Sequence, residues 1–121
     1  MAHNPDIERR INHHFLQRPK TVQEQIEVKK MFGGLAYLYG GKMCVGIIGD
    51  ALVARIPSAA MDQALQRPGA RPMDFTGRVM KEFVFVDPVG FGTEAEMEQW
   101  ITWGLQHASQ ALAPEKPSRS R

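Results

Sequence analysis

The strongest case for chemistry rests on Arg71, Asp74, Arg78 and Lys81, in and beside the stretch Arg71-Pro72-Met73-Asp74-Phe75-Thr76-Gly77-Arg78. Guanidinium forks make two-point contacts with carboxylates and phosphates. Arg71 and Arg78, joined by Arg55 from an earlier strand, are therefore candidates for an anion or partner site. Asp74 has a structural alternative. It can lock the segment by pairing with Arg71 or Arg78, or by bonding the segment's own amides, a common arrangement in turns.

The other reactive residues have bland readings beside the chemical ones. Cys44 would need a neighbouring base or cation to become a nucleophile. It lies between Met43 and Val45 in an apolar strand, where alternation sets it on the face opposite both, shared with Gly46 and Ile48. A small buried hydrophobe is the simpler role. His13 and His14 are adjacent on a helix and point about 100° apart, so they do not share one ion easily. With His3 and His107 distant, no tetrahedral metal set is evident. Met31-Phe32-Gly33-Gly34 precedes a strand and does not open a helix, so it reads as a turn or bulge rather than a phosphate cradle. Trp103 falls off the apolar stripe of its helix. It is either a partner contact, given the weight of tryptophan at binding hot spots, or a sign that the helix is buried on more than one stripe. No nucleotide, zinc-ribbon, metalloprotease or Ser-His-Asp pattern is present. The sequence thus implies no cofactor, no metal and no catalytic set.

These residues sit on a readable order of elements. Asn4-Pro5-Asp6 is a helix start, with a capping side chain, a proline suited to the first turn and an acid for the dipole. Ile7, Ile11 and Phe15 follow at four-residue steps. Val22 to Lys30 fits either a further helical turn or the beginning of a strand. Leu35–Tyr39, Met43–Ile48 and Leu52–Ile56 are strands joined by Gly40-Gly41 and Gly49-Asp50. Such two-residue links favour hairpin turns that need positive φ. Ser58 is a candidate cap for a short helix ended by Pro68-Gly69. A long loop then leads to a fourth strand, Phe83–Val86. Thr93-Glu94-Ala95-Glu96 is a capping box. It opens a helix on which Met97, Trp100, Ile101, Gly104, Leu105, Ala108 and Leu112 recur at three and four. The expectation is an α+β fold, an antiparallel meander plus a fourth strand covered by helices, with a long C-terminal helix.

The chain has 121 residues, 43% of them hydrophobic and 23% charged, which suits one globular domain. Residues 1–113 are expected to form it, and 114–121 to be a disordered basic tail. Its formal net charge is only +2, and the tail supplies Lys116, Arg119 and Arg121. A near-neutral domain argues against direct nucleic-acid binding. One cysteine excludes an intrachain disulfide and suits a reducing compartment. No apolar run reaches the roughly 18 residues of a membrane span, and Met1 to Arg10 lacks a signal peptide's apolar stretch. The expected location is cytoplasmic.

Lys30-Met31-Phe32-Gly33-Gly34-Leu35-Ala36, Lys42-Met43-Cys44-Val45-Gly46, Leu52-Val53-Ala54-Arg55 and the Arg71–Arg78 stretch together resemble the TfoX/Sxy family in its N-terminal domain, over roughly Glu27 to Leu112. The resemblance implies a small α+β domain without catalytic residues. Named members act as coactivators of transcription in natural competence and carry a second, helical domain. This sequence stops soon after its last helix, so the expectation is a stand-alone N-terminal domain. The implied role is a non-enzymatic interaction or regulatory module. Its partner would be a protein of the transcription machinery or a regulator. The alternative is a small-ligand or anion-binding domain lined by Arg55, Cys44 and the Arg71–Arg78 segment. A homodimer through a sheet edge or through Trp103 is the other assembly these features allow.

Overall fold

The computed structural model describes residues 4–31, 33–75 and 78–112, without the side chains at 31, 73–75, 78–81 and 110–112. Helix α1 (Pro5–Leu16) starts where its cap dictates, with Asn4 Oδ1 accepting the Asp6 amide at 2.8 Å. The ambiguous region after it contains both readings in turn. A single helical turn, α2 (Lys20–Gln23), follows Pro19, and strand β1 (Ile26–Met31) begins after it.

Strands β2 (Gly34–Tyr39), β3 (Lys42–Ile48) and β4 (Ala51–Arg55) continue the antiparallel meander. Their turns use the glycines as expected, with φ of 58° at Gly40, 87° at Gly41 and 60° at Gly49. Beyond Pro57 a 3-10 turn (Ser58–Ala60) leads into α3 (Met61–Leu65). Ser58 is not the cap expected of it: Pro57 holds that position, and no side-chain hydrogen bond closes the turn.

The main departure lies in the segment expected to be a long loop. It is a hairpin of β5 (Ala70–Phe75) and β6 (Arg78–Val86), so the sheet has six strands in the order β1-β2-β3-β4-β6-β5. Pro72 and a register shift between Pro72 and Met73 hide the strand from pattern reading. Both are tolerated because β5 is an edge strand, where a missing N–H leaves no ladder unpaired. Phe83–Val86 is only the end of β6, and it is internal, between β4 and β5.

Helix α4 (Glu94–Leu112) starts on the expected capping box. The Thr93 amide donates to Glu96 Oε1 at 3.0 Å, and the Glu96 amide to Thr93 Oγ1 at 3.2 Å. With α1 it covers one sheet face. Ile7, Ile11, Phe15, Tyr37, Val45, Ile47, Leu52, Val84, Met97, Trp100 and Ile101 fill the space between. On the opposite face Ala36, Leu38, Met43 and Val53 form a smaller cluster, flanked by Ile48, Phe83 and Phe85.

A bulge sets which side Cys44 faces. Tyr37 pairs with Val45 and Leu38 with Met43, so Cys44 is an extra residue in β3. Cys44 and Val45 therefore both join the helix-side core, while Met43 faces the other way. Simple alternation had set Cys44 opposite Val45 and alongside Ile48. The extra residue corrects both expectations, as a bulge does by interrupting the period of two.

Candidate functional site

The sheet face away from α4 holds Arg55 and Arg71, the two candidate arginines whose side chains are described. Arg55 on β4 pairs in register with Phe83, and Arg71 on β5 pairs with Phe85. Phe83 and Phe85 are two apart on β6 and share one side, so the two guanidiniums flank one aromatic pair. Arg55 lies 5.4 Å from the Phe83 ring centre and Arg71 4.8 Å from that of Phe85, both within cation–π reach.

Each guanidinium also holds a carboxylate. Arg55 donates to Glu82 Oε1 through Nε at 2.9 Å and Nη2 at 2.6 Å. Arg71 grips Asp87 in a fork, Nε to Oδ2 at 3.2 Å and Nη2 to Oδ1 at 3.0 Å. The Arg55 hydrogen bonds hold the Glu82 carboxyl below its ordinary range, and Arg71 does the same for Asp87. Asp87 in turn raises Arg71. The side chains of Arg55 and Arg71 are 20% and 51% exposed, so Arg71 is the more available to a partner. On β1, Lys29 shares this face by its register with Ala36 and lies 3.8 Å from Glu27. Every cation described on the face thus has an acid beside it.

Asp74 and Arg78 lie on strands β5 and β6, not in a loop, and face Val79 and Phe75 in the ladder. Their side chains, like that of Lys81, lie outside the described residues. The locking role of Asp74 concerns atoms in that undescribed set. Arg71 meets Asp87, a partner its sequence neighbourhood did not suggest, because only the pairing of β5 with β6 brings them together.

Trp103 is buried, 5% exposed. It meets Trp100 edge to face at 5.2 Å between ring centres, and the Arg67 guanidinium lies 5.2 Å above it. The broader burial of α4 is what the structure shows, and a partner would reach the ring only by displacing Arg67. Cys44 is fully buried and its Sγ donates to the Tyr37 carbonyl at 3.2 Å. Burial pushes its thiol up to about 12, so it is not a thiolate at neutral pH. It does not line a site with Arg55 and Arg71, since it faces α4.

A ladder of side chains ties α1 to α4. Arg10 Nε meets Glu94 at 3.0 Å, and His14 lies between Glu94 at 2.8 Å and Glu98 at 3.0 Å. Arg18 Nη2 meets Glu98 at 2.8 Å and the Thr102 hydroxyl at 3.2 Å. Residues 10, 14 and 18 recur at four, as do 94, 98 and 102, a spacing that could have marked two polar stripes but entered no reading of the sequence. The role is structural, and it explains why His14 is the one buried polar residue among those described. Among the described residues no group of His, Cys, Asp and Glu could hold a metal ion. No helix among them is long and apolar enough to cross a membrane.

Comparison with known proteins agrees with this architecture at one point. No curated protein and no solved structure matches the chain. The model of the TfoX N-terminal domain matches residues 20–108, which takes in every strand, α2, α3 and most of α4. On that match, the chain belongs to the TfoX N-terminal domain family.

Proposed function

We propose that this domain is a non-enzymatic interaction module whose outer sheet face recognises a protein of the transcription machinery or one of its regulators. The observation that carries this reading is the composition of the face. Two half-buried phenylalanines lie under arginines, and each described cation is already balanced by a carboxylate. Arginine and aromatic residues, phenylalanine among them, are enriched at protein interfaces. Balanced charge suits a protein surface, which can exchange its own carboxylates for Asp87 or Glu82. It suits a nucleic-acid backbone poorly, because phosphate neutralisation needs uncompensated cations. The role as a regulator extends the family's own association with competence coactivators.

The test is a paired capture experiment. The wild-type chain and an Arg71→Ala, Phe85→Ala variant are used as bait in native extract, and the recovered protein is then purified for affinity measurement. The variant, with its fold checked by circular dichroism, is expected to lose affinity by about tenfold or more. An Arg9→Ala control on the far side of the molecule should bind normally. Equal affinity in the folded double variant overturns the reading. So does capture that depends on nucleic acid and falls steeply with salt.

A further inference from the structure

On the helix side of the sheet, remote from the outer face and independent of the reading above, α4 does not close against its neighbours. A cleft of about 630 Å³ opens between the chain after α1, the segment Pro57–Gln63 and the C-terminal half of α4. That volume lies within the range of small-molecule sites, about 300–1,000 Å³. The walls are mixed. Val22, Ala60 and Leu105 make apolar surface, while Gln63, Thr102 and Ser109 offer neutral hydrogen-bonding groups.

Among the described residues Arg18 is the one charged side chain lining this cleft, and no carboxylate among them lines it. Its guanidinium is fixed from one end, by Glu98 and Thr102 on Nη2. Its Nε is buried and has no hydrogen-bond partner among the described residues. Leaving a buried donor without an acceptor is costly, so such groups in native structures call for an explanation. Glu98 is shared with His14, whose Nδ1 lies 3.0 Å from Oε1, and meets Arg18 through Oε2 at Nη2.

We propose that this cleft binds a small organic monocarboxylate, with its carboxylate on Arg18 and its apolar body against Val22, Ala60 and Leu105. The Arg18 guanidinium, held by Glu98 at Nη2, offers a single cationic contact, which suits a ligand with one anionic group. A dianionic phosphate group would leave charge unmatched, since no second cation among the described residues lines the wall. The neutral groups at Gln63 and Ser109 set the polar limit of the ligand at the cleft's rim.

The test uses named probes. Benzoate and hexanoate are titrated against the whole protein at constant ionic strength, with benzamide, hexanamide and inorganic phosphate as controls. Melting temperature and the Arg18 Nε–H resonance are followed together. The carboxylates are expected to raise the melting temperature saturably and to shift that resonance, and the amides and phosphate to do neither. Arg18→Gln should weaken binding by about tenfold or more. If that variant fails to fold, Ala59→Trp fills the cleft from its rim, leaves Arg18 on Glu98, and should abolish the response. Absence of a saturable carboxylate response, an equal response to the amides, or an unchanged response in Ala59→Trp overturns the proposal.

Discussion

Cys44 shows how much one residue's chemistry depends on its burial. Its neighbours in the chain carry no base, it sits in the apolar core with its Sγ donating to the Tyr37 carbonyl, and burial outweighs the opposing influence of Arg18. The thiol stays protonated, and even Tyr37 is raised well above its ordinary value, again chiefly by burial. Cys44 is therefore expected to resist a disulfide exchange reagent in native buffer at pH 8, and to react at once in denaturant. Rapid labelling of the native protein, read by absorbance, would refute this. A buried hydrophobe was legible for Cys44 in the sequence, but the side of the sheet was not, since the bulge leaves no mark in residue type. Trp103 was open for a related reason. A helix with one apolar stripe and a helix buried more widely share the same periodic residues, and only Arg67 and Trp100 packed on the ring decide between them.

The packing of elements turns on a close approach that a single glycine permits. At Gly104 a Cβ would stand 2.3 Å from the Cys44 carbonyl oxygen and 2.8 Å from its carbon. Helix α4 thus lies directly on the bulged segment of β3. In an exposed helix, Gly→Ala gains about 1 kcal/mol. Overpacking against a core costs about 1–3 kcal/mol, and backbone cannot yield as a side-chain tip can. Gly104→Ala is accordingly expected to destabilise the fold by up to about 2 kcal/mol net, seen as a lower urea midpoint. A raised midpoint would show that α4 can lift from the sheet at little expense. Most elements were legible at this scale: the capped helices and the glycine turns carry local signals strong enough to stand alone. The β5–β6 hairpin was not, because an edge strand tolerates Pro72 and irregular register, and its pairing energy comes from β4 through β6, outside its own sequence.

At the scale of the molecule, ionisable groups from distant segments set the response to acid. Glu82, Asp87, Glu94 and Glu96 are all held below their ordinary values, chiefly by hydrogen bonds to Arg55, Arg71, His14 and the Thr93 backbone respectively. His107 is also lowered from 6.5, first by burial and then by Arg55, with Glu82 opposing. In each case the unfolded chain binds the proton more readily, so folding stability rises with pH across the titration. The His107 contribution is whole above its unfolded value and is lost as pH falls through the lower folded one. The carboxylate contributions follow at more acid pH. Between pH 7.5 and 5.5 the wild type is expected to lose more stability than His107→Gln, measured by urea unfolding, and equal losses would remove His107 from this account. By itself the sequence determined the antiparallel α+β class, the caps of α1 and α4, the glycine turns and the apolar stripe of α4, because each is encoded by residues within a few positions of one another. Which arginine meets which acid, which way Cys44 faces, and that a cleft stays open beside Arg18 were decided only by tertiary structure. Those outcomes depend on strand register and on the apposition of α1 with α4, where side chains dozens of residues apart compete for the same partners.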